Sequence, residues 1–184
     1  MNEKLEKISK QFQKQIGCHG YEHTERVIET CKVLGAALHA DMDILIPAAI
    51  LHDIGRGNDN HAHHSAKVAR EILNDLGYPK IDEIVHAIDV HSFSAGGEAK
   101  TLEARILSDA DKLDAMGAFG IYRAAQYGVE HERPQEEFIN HFHEKLLKLK
   151  DLLYTDEAKK LAEQRHTFMQ QYLEQINKES KGLS

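Results

Sequence analysis

The chain has 184 residues, a net charge of −7 and 41% apolar residues, the balance of a globular protein with an ordinary core. That acidity excludes the clustered positive charge of an extended nucleic-acid surface, though not a local basic pocket for a small anion. No apolar run approaches the roughly 20 residues of a membrane span, the segment MNEKLEKISKQFQKQ lacks the apolar stretch of a secretory signal, and Cys18 and Cys31 are too few for a disulfide scaffold, so a cytoplasmic protein with reduced thiols is expected.

The patterning predicts an all-α fold, because alternating strand patterns are absent, proline is rare and helix formers dominate. A first amphipathic helix is expected over about 3–16, with Leu5, Ile8, Phe12 and Ile16 at helical spacing. Gly17 and Gly20 bracket a turn, and a second helix over about 21–39 carries Val27, Cys31, Leu34 and Leu38 on one face. A third covers about 42–53 and ends in His52-Asp53, before the turn formers from Gly55 to Asn60. Helices follow over about 63–76, 81–91, 101–115 and 118–127, the last with Gly117 and Gly120 near its start. Two long polar-faced helices, about 134–152 and 156–178, complete the chain. No repeat or linker divides it, so a single helical domain over 1–184 is expected.

Histidine is the outlier, with 13 residues, and imidazole is the commonest metal-binding side chain. His52 and Asp53 project about 100° apart, yet both can reach one ion beside the helix end. His23 lies one turn before Val27 on the apolar side of its helix. A further acid is expected from LEARILSDADKLDAMG, which carries Asp109, Asp111 and Asp114. Asp109 and Asp111 project about 160° apart, too far to share an ion. Periodicity puts Asp109 and Asp114 within the apolar arc and Asp111 at its edge, and does not choose between them. A buried unpaired carboxylate is costly, so at least one of the three needs a cation partner.

The order His23, His52-Asp53 and then DADKLD resembles the H…HD…D signature of the HD-domain metal-dependent phosphohydrolases, in particular the small stand-alone bacterial members. The resemblance spans about 20–125, with the helices over about 134–178 as an extension. It implies an all-α helical bundle, and metal ligands at His23, His52, Asp53 and Asp111, the acid before the lysine. Asp109 remains the rival on the residues alone. One divalent ion is implied. Mixed imidazole and carboxylate donors suit Mn²⁺ first, with Mg²⁺, Fe²⁺, Ni²⁺ or Zn²⁺ as alternatives.

In similar proteins the cation after the last ligand contacts substrate phosphate, which implies Lys112 here. Arg26, Arg56 and Arg123 are further substrate-binding candidates, against the plainer reading of paired surface charges. His64 and His91 are expected on the open side of the ion, positioning water, donating a proton or binding phosphate. The plainer readings are loop histidines and, for His63 or Ser65, a helix-start cap. Extra histidines here bind a second metal in some similar proteins. His131, His141, His143 and His166 read as surface residues, and Leu146, Leu149 and Leu153 as packing.

The expected activity is hydrolysis of small nucleotides, most specifically of nucleoside triphosphates to monophosphate and pyrophosphate. The alternatives are a monophosphate 5′-nucleotidase, a two-iron HD-fold oxygenase using His64 and His91, and a non-catalytic metal-stabilised binding domain. A cyclic-nucleotide phosphodiesterase fits less well, because the loop reads HDIGRG and no GYP follows. A small phosphorylated partner is expected, with no membrane. The long C-terminal helices either close the pocket or form a homodimer.

Overall fold

The computed structural model describes residues 2–13, 20–92 and 97–183. Among these the chain is all-α, with nine α-helices, one 3-10 segment and no strand. None of the described helices is long and apolar enough to cross a membrane. The expectations placed on Ile16, Gly17 and Cys18 lie outside the described residues. Two compact units, Met1–Asp111 and Lys112–Ser184, divide the chain.

The first unit contains α1 (Asn2–Phe12), α2 (Tyr21–Leu38), α3 (Met42–Leu51), α4 (His61–Asp75), α5 (Ile81–Asp89) and most of α6 (Leu102–Asp114). Its centre is α3, where every residue from Ile44 to Leu51 is buried. A helix that is apolar all round belongs in a core, and α1, α2, α4 and α5 pack around this one. Asp41 starts it by accepting from the Asp43 amide at 3.0 Å, a side-chain N-cap.

Helix α1 departs from the apolar stripe expected of it. Phe12 is 56% exposed, and the inward residues are Leu5, Ser9 and Gln13. The buried polar side chains form a thread. Ser9 Oγ donates to the Ile50 carbonyl at 2.7 Å, Gln13 Nε2 donates to Ser9 Oγ at 3.1 Å, and Thr24 Oγ1 donates to Gln13 Oε1 at 2.8 Å. Ile50 lies in the last turn of α3, where carbonyls lack partners along the helix, so Ser9 satisfies one of them.

The second unit contains the end of α6, α7 (Gly117–Glu130), α8 (Gln135–Glu144), the 3-10 segment Leu146–Leu152 and α9 (Asp156–Glu179). The single helix expected over about 134–152 breaks at Lys145, whose φ of −131° and ψ of −62° leave the helical region. Leu146, Leu149 and Leu153 are buried beyond that break, as the packing reading required. Helix α9 begins at Thr155, whose side chain accepts from the Ala158 amide at 3.3 Å. Its inward stripe is Ala158, Ala162, His166 and Met169. His166 is therefore buried, correcting its assignment to the surface; spacings of four, four and three residues put it on the packed side. Gly117 adopts φ +69°, and a Cβ there would stand 3.0 Å from Arg165 Cγ, so both conformation and space call for glycine.

Candidate metal centre

The buried α3 delivers its last turn into the interior of the first unit. His52 follows it, still with helical dihedrals of −59° and −34°. His52 is fully buried and Asp53 is 3% exposed. The chain then turns sharply. The Gly55 amide donates to Ser65 Oγ at 2.9 Å, which ties the turn to the first turns of α4. A Cβ on Gly55 would lie 2.6 Å from the Ser65 amide nitrogen and 2.8 Å from His64 Cδ2. The glycine is what lets the turn lie against α4.

Three helices bring donors to one point. His23, on the first turn of α2, places Nε2 3.2 Å from His52 Nε2 and 3.2 Å from Asp111 Oδ1 on α6. Asp53 Oδ2 is 3.8 Å from His23 Nε2 and 3.9 Å from His52 Nε2. One ligand atom each from His23, His52 and Asp53 lies within 4.8 Å of the others. Asp111, with its side chain 29% exposed, joins this group through its contact with His23. Asp109 is fully buried two residues earlier. The contact with His23 is what favours Asp111 over Asp109 as the fourth donor.

The electrostatics fit a cation. His52 donates Nδ1–H to the Ala49 carbonyl at 2.8 Å, so its Nε2 lone pair faces the group. Both Asp53 oxygens are buried without a hydrogen-bond donor among the described residues. A buried carboxylate that accepts no hydrogen bond is unfavourable unless a positive charge faces it. Burial pushes the Asp53 carboxyl up, but the charges of His52, Arg56, His23 and His91 outweigh it and hold the group below the usual carboxylate range. Burial likewise opposes ionisation of Asp111, and the hydrogen bond with His23 overrides it downward. Burial lowers His52 in turn, opposing the nearby Asp53 charge that favours its protonation.

A second group adjoins the first through Asp53. Its Oδ1 lies 3.6 Å from His61 Nε2, 3.9 Å from His91 Nε2 and 3.4 Å from an Arg56 terminal nitrogen. His91, just past α5, is 1% exposed and donates Nδ1–H to the Ile88 carbonyl at 2.6 Å. Its own carbonyl accepts from Ser108 Oγ at 2.8 Å, one turn before Asp111 on α6. Burial and the charge of His52 push His91 down to about 4. Burial and then Arg56 push His61 down to about 4 as well.

Of the residues expected from the sequence, the structure gathers His23, His52, Asp53, Asp111 and His91, with Arg56 alongside. His64 is partly exposed with its ring against Gly55, and His61 takes the inward position instead. The signal lay at Asn60. Its φ of +52° is a conformation asparagine tolerates, and it starts α4 at His61, two residues ahead of the expected position. Ser65 does not cap α4 but holds the turn at Gly55, and His63 pairs with Asp89 at 3.0 Å on the surface. Arg26 is half-buried on α2. In the second unit, Arg123 pairs with buried Asp114 at 2.8 Å. Lys112 Nζ stands 5.4 Å from the centre of the Tyr154 ring.

Comparison with known proteins agrees with this geometry. The HD domain family matches residues 20–116. Bacillus subtilis YpgQ is 33% identical over 179 residues, covering 90% of this chain and 86% of its own. The crystal structure of Bacillus subtilis YpgQ in complex with ADP superposes with a TM-score of 0.82 at 30% identity, covering 97% of each chain. A Bacillus thuringiensis HD-superfamily hydrolase gives a TM-score of 0.78 at 32% identity, over 98% of this chain and 96% of that one. With a buried cluster of His23, His52 and Asp53 that could hold a metal ion, the chain belongs to the HD domain family and is a metal-dependent phosphohydrolase.

Proposed function

We propose that the chain hydrolyses small nucleotides, with nucleoside triphosphates split to monophosphate and pyrophosphate as the specific reaction. The observation that carries it is the buried Asp53 carboxylate, without a hydrogen-bond donor on either oxygen among the described residues, set among His23, His52 and Asp111. That donor set mixes imidazole with carboxylate and suits Mn²⁺. A divalent ion held there supplies Lewis acidity, lowering the pKa of water and polarising a phosphoryl oxygen. The nucleotide class is supported by the ADP complex of YpgQ, a relative over nearly the whole chain.

In the reaction a water oxygen bonds to the α-phosphorus as the bond to the β-phosphate oxygen breaks, and the water's proton is released. His91 is neutral at working pH, which suits it to accept a hydrogen bond from water and so orient it. It is poorly suited to protonating a leaving group. His64, partly exposed, keeps the acid role. Lys112, the residue after Asp111, and Arg26, one turn after His23, offer charge for the phosphates. Arg123 already shares its charge with Asp114.

The test is release of phosphate and pyrophosphate from a nucleotide panel with Mn²⁺, using wild type and Asp53→Ala. Pyrophosphate from triphosphates, lost in the variant, is the expected result. Orthophosphate from monophosphates would replace this reading with a nucleotidase. Inertness toward every nucleotide, with iron bound and oxygen consumed, would replace it with the oxidative alternative.

A further inference from the structure

The group formed by Asp53, His61 and His91 has the makings of a second metal site. One ligand atom each lies within 4.8 Å of the others. It offers a carboxylate oxygen and two imidazoles, and with Nδ1 of His91 given to Ile88 the Nε2 lone pair faces Asp53. Asp53 has Oδ2 directed at the first group and Oδ1 at this one, the disposition of a bridging carboxylate.

A cation of another kind already engages these atoms. An Arg56 terminal nitrogen donates to His61 Nε2 at 2.7 Å and lies 3.4 Å from Asp53 Oδ1. The guanidinium therefore uses the imidazole lone pair and faces the carboxylate oxygen that a second ion would need. It cannot lose its charge at any working pH. Its loop is fixed as well. The Arg56 amide donates to the Asp53 carbonyl at 3.1 Å, Gly55 is held by Ser65, and Asn58 Nδ2 donates to the Gly55 carbonyl at 2.9 Å. A tethered cation competes with a free ion at high effective concentration.

We propose that Arg56 is a built-in substitute for a second divalent ion, and that it holds this chain to one metal per site. The proposal rests on the metal reading of the His23, His52 and Asp53 group. Removing the guanidinium should expose a latent site made of Asp53, His61 and His91.

The experiment counts Mn²⁺ per chain by elemental analysis across a titration, with electron paramagnetic resonance to detect spin coupling between neighbouring ions. Wild type should bind one ion. Arg56→Met and Arg56→Gln should each bind two, with a coupled signal and second-ion affinity raised about 10- to 100-fold. Adding His61→Ala should return the count to one, and Arg56→Lys should keep it at one. Two ions of similar affinity in wild type would overturn the proposal, a result that needs no variant to fold. So would one ion in both Arg56→Met and Arg56→Gln when each shows a cooperative thermal transition. A wild type that binds no ion would overturn the metal reading itself, and this proposal with it.

Discussion

Replacing Asp53 by asparagine separates metal binding from packing. Asparagine fills nearly the same volume, so a side chain only 3% exposed keeps its neighbours. What is lost is the negative charge of a carboxylate whose oxygens have no hydrogen-bond donor among the described residues. For wild type at Mn²⁺ 100-fold above its dissociation constant, linkage gives about 2.7 kcal/mol of stabilisation. A chain of this size shifts about 2–4 °C per kcal/mol, so Tm should rise by about 5–11 °C over the chelated protein. Loss of a first ligand should weaken affinity by about 100-fold or more, since even supporting residues are worth about 10- to 100-fold. At the same Mn²⁺ concentration the variant then gains only about 0.4 kcal/mol, a shift of about 1–2 °C. In chelator the two proteins should melt within about 4 °C of each other. The assay is differential scanning fluorimetry with Mn²⁺ and with EDTA. Equal metal-induced shifts in both proteins would refute the ligand role of Asp53. A shift absent from both would refute the metal centre.

Three further outcomes are expected. The chelated protein should lose stability as pH falls from about 6.5 to 4: His91 and His61 titrate near 4 in the fold, whereas histidine in the unfolded chain titrates near about 6.5 and takes protons first. His91 alone contributes about 2 kcal/mol of this loss by pH 5, so a urea midpoint unchanged between pH 7 and pH 5 would contradict its burial as a neutral ring. Gly55→Ala should cost about 1–3 kcal/mol, because its Cβ meets the backbone of α4. It should also weaken Mn²⁺ binding by shifting Asp53, and calorimetry showing wild-type affinity would count against that coupling. Arg123→Gln should destabilise by about 1–3 kcal/mol, since it removes the guanidinium 2.8 Å from buried Asp114; a higher KM with unchanged Tm would instead make Arg123 a substrate residue.

The parts of the fold that could be read from the sequence are those where periodicity and burial agree. Helix α2 buries Val27, Cys31 and Leu34 as its spacing indicates, and α3 is apolar enough to be core in any arrangement. Among the three acids of α6 the arc was also right, with Asp109 and Asp114 buried and Asp111 at the edge. Choosing the ligand needed a distance, because an edge position becomes a site only when His23 faces it. His61 was hidden for a local reason. Asparagine in the left-handed region moves the start of α4 by two residues, and that changes which imidazole turns inward. The polar face of α1 was hidden for a tertiary reason. Ser9 and Gln13 are buried because a neighbouring helix end and a threonine need hydrogen-bond partners, a requirement no hydropathy pattern records.

That buried thread bears on where the working unit begins. The family match starts at residue 20, a boundary that would treat α1 as an appendage. Yet Ser9 holds the carbonyl two residues before His52, and Gln13 holds the residue after His23. Ser9 on the first helix and Gln13 just past it thus tie together the two histidine-bearing helices. Trimming a gene to the family boundary would remove no ligand. It would strand two buried polar groups, each costing about 1–3 kcal/mol, and would loosen both histidines together. The segment by which this chain is recognised is shorter than the segment that keeps its histidines in register.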